Sequence, residues 1–309
     1  MRKALVTTRE QLPVRQPTIA LALGGGGARG LAHALVLEVF DELGLKPKVI
    51  AGTSIGALFG AAYASGLSAK HIRALTEETL AGRLDIVRQL FSARSDPVQK
   101  FLNFFPLRTS LLKAEAVIDM IIPSQVANDF KSLAIPLRLV ATDLGSRSAV
   151  IMTAGPLRQA VAASIAIPVI FQPVIVDGRT LVDGGLVNPL PFDLVIKDAD
   201  ICVAIDVSGT ASELDLGVQP SALVVAAQSL QILEKSITRE KLQHTRPDIY
   251  IDVEVDKFHA LEFHRAKEIM LAAMPIKDRL KRQLDRVLGA ETLPVAEPKR
   301  QTDHKGKRT

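Results

Sequence analysis

The sequence predicts a single α/β domain built on a largely parallel sheet, and three observations lead there. Short apolar runs at 18–23, 49–51, 135–141, 199–206 and 249–255 alternate with stretches of helical periodicity along most of the chain. Two of these strands empty into glycine-rich turns that lead directly into helices. Pro, Gln or charged residues break even the oily stretch 160–176, so no uninterrupted apolar run reaches the length of about 18 residues that a membrane span needs.

Taken in order, residues 18–23 form a strand that runs into Gly24-Gly25-Gly26-Gly27-Ala28-Arg29-Gly30. Leu31, Ala32, Ala34, Leu35, Val36, Val39 and Phe40 then space out an amphipathic helix ending near Gly44. The strand Val49-Ile50-Ala51 enters Gly52-Thr53-Ser54-Ile55-Gly56, which opens a helix of Ala57, Leu58, Phe59, Ala61, Ala62 and Tyr63. Residues 68–84 read as a helix with Ile72, Leu75, Thr79 and Leu80 on one face. Between 86 and 112, Phe91, Phe101, Phe104 and Phe105 interleave with Arg88, Arg94, Lys100 and Arg108, a pattern that suits a flap touching acyl chains and head groups. Plain helix packing onto the core is the other reading of those phenylalanines.

Residues 135–141 form a strand with 149–153 as hairpin partner, and 157–165 a helix stopped by Pro168. Residues 174–176 and 180–182 close a hairpin around Asp177-Gly178-Arg179 that delivers Asp183-Gly184-Gly185. A strand at 199–206, a long helix at 220–242, a strand at 249–255 and a helical stretch at 258–288 broken by Pro275 complete the domain. The expected partition is an N-terminal extension at 1–18, the catalytic domain at 19–290 and a basic tail at 291–309.

Composition narrows the function classes. With 309 residues and 48% apolar content the chain can bury a substantial core. The N-terminal 17 residues carry Arg2, Lys3, Arg9 and Arg15 without a signal-peptide core, so a cytoplasmic location is expected, with peripheral membrane contact as its companion. The lone cysteine, Cys202, lies in an apolar run and reads as a buried, inert thiol; one cysteine and six scattered histidines argue against a metal site. Residues 297–309 supply +3 of the +5 net charge, which reads as a solvated tail, and no nucleic-acid partner is expected.

The chemistry concentrates at Ser54. A serine on a sharp turn between strand and helix is held with its hydroxyl above the sheet and above a helix N-terminus, where developing negative charge is favoured. The glycines at 52 and 56 are required because a side chain there would meet the neighbouring helix or strand. The run Gly25-x-Gly27-x-x-Gly30 also fits a dinucleotide fingerprint and so an oxidoreductase, but the second strand ends Ala51-Gly52-Thr53-Ser54 without the acid that holds a ribose. Uncovered backbone amides in the same loop can instead cradle the oxyanion of an acyl-transfer intermediate.

A serine nucleophile needs a base. His33 and His71 read as helix residues and His304 sits in the tail; His259 and His264 stay open as alternatives. Of the carboxylates at strand ends, Asp183 ranks first because the two glycines after it let the backbone crowd a substrate, whereas Asp143 and Asp206 read as capping residues.

Four blocks in order, the 24–30 loop with Arg29, the GTSIG elbow at Ser54, the 163–168 segment ASIAIP and the Asp183-Gly184-Gly185 triplet, give the chain a resemblance to the patatin-like phospholipases over about residues 19–255. That resemblance implies a three-layer α/β/α architecture and a lipid acyl hydrolase working without metal or cofactor on phospholipid or lysophospholipid esters. It implies a Ser54–Asp183 dyad, an oxyanion hole of Gly25, Gly26 and Gly27 with help from Arg29, and motif support from Gly30, Gly52, Gly56, Gly184 and Gly185. A catalytically silent, lipid-binding relative is the alternative within the same resemblance.

Overall fold

The computed structural model describes residues 16–82, 112–209 and 222–291. The aromatic and basic stretch around Phe91 to Phe105, the first fifteen residues and the basic tail from 292 lie outside the described residues.

One eight-stranded sheet organises the chain: β1 (Ile19–Leu23), β2 (Val49–Thr53), β3 (Leu137–Asp143), β4 (Ser148–Met152), β5 (Val174–Val176), β6 (Arg179–Asp183), β7 (Ile201–Asp206) and β8 (Ile249–Asp252). The order is β5-β6-β3-β2-β1-β7-β8, with β4 paired to β3 off that path. Five strands, β3-β2-β1-β7-β8, run parallel, and β4, β5 and β6 join one end through antiparallel pairings. The helices are α1 (His33–Glu42), α2 (Ile55–Ala64), α3 (Ala69–Gly82), α4 (Ala114–Ile121), α5 (Leu157–Ser164), α6 (Ala222–His244), α7 (Ala266–Ala273) and α8 (Ile276–Glu291).

Every residue of β1 is buried, as a strand covered on both faces must be. Ile19, Leu21 and Leu23 join the large cluster beneath α1, α2 and α5, while Ala20 and Ala22 face a smaller one with Leu190, Phe192 and Cys202. Alternation of large and small side chains along one strand thus sets the thickness of the two layers. The Cys202 thiol, fully buried, is pushed up to about 12 by desolvation first and by Asp248 next, which keeps it an unreactive thiol.

The sequence reading holds with shifted ends. A 3-10 turn (Gly27–Ala32) precedes α1, and the stretch expected to be helical from 258 begins with an irregular segment before Pro275 separates α7 from α8. The helix α4 was not expected; it is two turns long, too short for periodicity to declare it.

Candidate active site

The chain order explains how two residues 129 apart in sequence meet. In the β2–β3 register Thr53 pairs with Val140, and in the β3–β6 register Asp183 pairs with the next residue, Ala141. Both strands flank β3, so Ser54, one step past Thr53, and Asp183, at the end of β6, reach the same level of the sheet. The Ser54 hydroxyl donates to Asp183 Oδ2 at 2.6 Å.

Each partner is held from several sides. Ser54 has φ 54° and ψ −122°, a left-handed conformation that costs a non-glycine residue about 1–3 kcal/mol and persists only where surroundings enforce it. Ser164, at the end of α5, supplies part of that enforcement: its Oγ accepts the Ser54 N–H at 3.0 Å and donates to Val140 O at 2.6 Å. A β-carbon on Gly56 would overlap the Leu23 carbonyl, and one on Gly52 would stand 2.7 Å from the Gly56 oxygen, so no other residue fits the elbow at either place. Thr53 is tied down by donating its hydroxyl to Asn188 O at 2.8 Å.

Asp183 is fixed at backbone and side chain alike. Its N–H donates to Ala166 O at 2.9 Å and its carbonyl accepts from the Thr142 hydroxyl at 2.8 Å. Oδ1 accepts the Gly185 N–H at 2.7 Å, which leaves Oδ2 for the serine. Burial pushes the carboxyl up to about 6, against the opposing pull of the hydrogen bonds from Ser54 and Gly185. An ionised carboxylate in this setting is a stronger base than one in water.

The histidines play another part. His33 is fully buried, its Nε2 meets Gly24 O at 2.9 Å, and desolvation lowers its pKa to about 4, so it is neutral. Its place under the glycine loop is structural. His259 engages Glu262 through its backbone N–H, and no histidine among the described residues hydrogen-bonds to Ser54 or Asp183. Asp143 and Asp206 are strand-end caps: Asp143 accepts from Gly145 and Ser146, and Asp206 from Ser208, Lys235 and Tyr250.

The glycine loop leaves β1 between β2 and β7, where the parallel strand order reverses. Gly24 N–H donates to Ile205 O and Ala28 N–H to Ala260 O. One expectation needs correcting: the Gly25 N–H is spent on Pro189 O at 2.9 Å and is no free oxyanion donor. Gly25 contributes space, since a β-carbon there would sit 3.4 Å from Ser54 Cβ. The amides of Gly26 and Gly27 have no acceptor among the described residues. Arg29 is 3% exposed; its Nε donates to Gly26 O at 3.3 Å and its Nη2 has no hydrogen-bond partner among the described residues.

Ser54 stands at the junction of two cavities. One is an apolar chamber between α2, α3 and α4, lined by Leu58, Ala62, Ile72, Leu80, Val117 and Ile121 among others. The second is lined by Gly26, Gly27 and the polar side chains of Arg29, Asp183, Gln231 and Glu234 among apolar neighbours. Of the residues the structure brings together here, the sequence singles out Ser54 and Asp183 and gives no role to Ser164, Thr142 or Glu234; of these only Ser164 lies inside a block already singled out. Among the described residues no group of three or more His, Cys, Asp or Glu side chains is arranged to hold a metal ion. No helix among the described residues is long and apolar enough to cross a membrane.

The family model described as patatin-like phospholipase matches residues 21–196, which contain both Ser54 and Asp183. The chain belongs to that family. A relative in Mycobacterium bovis, described as an uncharacterized NTE family protein, is 38% identical over 200 residues, covering 63% of this chain and 50% of its own length. Patatin-like phospholipase domain-containing protein 7 of Rattus norvegicus is 32% identical over 206 residues, 64% of this chain and 14% of that protein. The chain thus spans half or less of the length of these relatives. In three dimensions it matches the crystal structure of VipD from Legionella pneumophila with a TM-score of 0.50 at 16% identity, covering 88% of this chain and 67% of that one, a likeness of fold.

Proposed function

We propose that this patatin-like chain is a serine hydrolase that cleaves fatty-acyl esters of phospholipids or lysophospholipids through an acyl-serine intermediate. The observation that carries this is the 2.6 Å contact from the Ser54 hydroxyl to the buried Asp183 carboxylate at the mouth of an apolar chamber. Family membership and the names of the relatives support it.

In this reading the acyl chain lies in the chamber and the alcohol portion in the second cavity, beside Arg29 and Gln231. Ser54 Oγ attacks the ester carbon while its proton passes to Asp183 Oδ2, and the carbonyl oxygen becomes an anion held by the Gly26 and Gly27 amides in the field of Arg29. Collapse of the intermediate breaks the bond to the alkoxide, which leaves with the proton from Asp183. Water, deprotonated by the same carboxylate, then attacks the acyl-serine, and the fatty acid is released as Asp183 returns that proton to Ser54 Oγ. The base accounts for about 10² to 10⁴ in rate and each oxyanion donor for about 10² to 10³.

The test is fatty-acid release from phosphatidylcholine vesicles and from lysophosphatidylcholine by the purified chain and by Ser54→Ala. Release by the parent and none by the variant is expected. No release from any acyl ester would leave the chain a lipid-binding relative and end the proposal.

A further inference from the structure

The second cavity contains a carboxyl group that the mechanism above does not use. Glu234 projects from α6 toward the Asp183 turn: a β-carbon placed on Gly185 would collide with Glu234 Oε1 and stand 3.1 Å from Asp183 Oδ1. Both carboxyl groups therefore crowd one point, the place that a Gly185 side chain would fill. The helix is pinned in that orientation, because Lys235 bonds Asp206 at 3.0 Å and Asp252 at 2.8 Å, and Lys241 bonds Asn188 and Asp193.

We propose that Glu234 and Asp183 hold one negative charge between them, with the proton on Glu234, and that loss of this proton switches the site off. Glu234 is then a positioning residue that acts through Asp183 and Arg29, and its role rests on the hydrolase reading above. Two carboxylates this close in a cavity walled by Leu230, Ile167 and Leu261 cannot both ionise cheaply.

The charges facing Glu234 settle which group keeps the proton. Asp183 accepts hydrogen bonds from Ser54 and Gly185 that favour its ionised form. Glu234 is pushed up to about 8, by burial first and by Asp183 next, with Arg29 opposing and Asp206 adding to the push. Asp206 and Asp252 are both answered by Lys235, and Asp256 stands with Arg29 at Gly209. The consequence for catalysis follows from Arg29, whose strongest charge partner is Glu234. A neutral Glu234 leaves the guanidinium field free to oppose the oxyanion charge. An ionised Glu234 would cancel that field and put a second anion beside the dyad.

The test compares Glu234→Gln, which cannot ionise, with Glu234→Asp, which can, using a short neutral ester and thermal melts between pH 5 and 9.5. The parent should lose about fivefold or more of its plateau kcat/KM above pH 8; Glu234→Gln should lose less than about twofold, and Glu234→Asp should retain an alkaline limb. A second readout needs no activity. A carboxyl with a raised folded pKa costs stability as pH rises from its unfolded value through its folded one. The Tm of Glu234→Gln should therefore gain on that of the parent between about pH 5 and 8 and level off above. An alkaline limb unchanged in Glu234→Gln, or a Tm difference flat across pH, overturns the inference. Ester hydrolysis absent at every pH would count against the hydrolase reading, and the melts would still decide the shared charge.

Discussion

Ser164 holds the backbone of Ser54: its hydroxyl oxygen accepts the Ser54 N–H at 3.0 Å and its O–H donates to Val140 O at 2.6 Å. The strand β3 thereby controls the serine from one side through Ser164 and carries Asp183 on the other through its pairing with β6.

Removing that brace should cost both stability and rate. Ser164→Ala leaves the Ser54 N–H and the Val140 carbonyl without their partner in a fully buried place, a loss of about 1–3 kcal/mol. With the elbow free to relax from its positive φ, kcat should fall by about tenfold or more while KM moves little. Thermal melts and steady-state kinetics on one ester measure both effects.

The pH profile follows from Asp183. A base must be unprotonated, and this carboxyl is pushed up to about 6, so kcat/KM should rise through pH 6 and reach its plateau above it. An acid limb near pH 4, where an ordinary aspartate titrates, would mean that burial does not act on this group as described.

The same shift implies a trade of stability for function. Because the folded pKa lies above the unfolded value near 3.8, stability is lost as pH rises from about 4 to 6 and stays lost above that window. Asp183→Asn keeps an acceptor for the Gly185 N–H and removes the buried charge. It should abolish turnover yet raise stability at pH 8 by about 2 kcal/mol, with the gain gone by pH 4. Chemical denaturation at both pH values checks this.

The chamber should read acyl length. Ala62 lines it on α2, and Ala62→Phe would fill part of its volume. We expect kcat/KM to fall by about tenfold or more for long-chain esters and by less than about threefold for an acetyl or butyryl ester, measured on one p-nitrophenyl series. Equal losses along the series would place the acyl chain elsewhere.

What could be read in the sequence was local. The elbow at Ser54 and the hairpin ending in Asp183 announce themselves within a few residues, because turn chemistry and strand alternation are short-range signals. The parallel sheet followed from the alternation of elements. Contacts set by register could not be read: Ser164 under Ser54, Thr142 on the Asp183 carbonyl, and Glu234 reaching over Gly185 each join residues 41 to 110 apart. The Gly25 amide shows the same limit, since nothing near residue 25 tells that Pro189 will occupy it. The helix Ala114–Ile121 escaped because two turns followed by Pro123 leave no period to count.

The central claim is that Asp183 activates Ser54. A fluorophosphonate probe followed by mass-spectrometric mapping tests it directly: the account predicts labelling at Ser54 in the parent, at least about 10² slower labelling in Asp183→Asn, and none in Ser54→Ala. Labelling of another residue, or of Ser54 at an undiminished rate without the carboxylate, would contradict it.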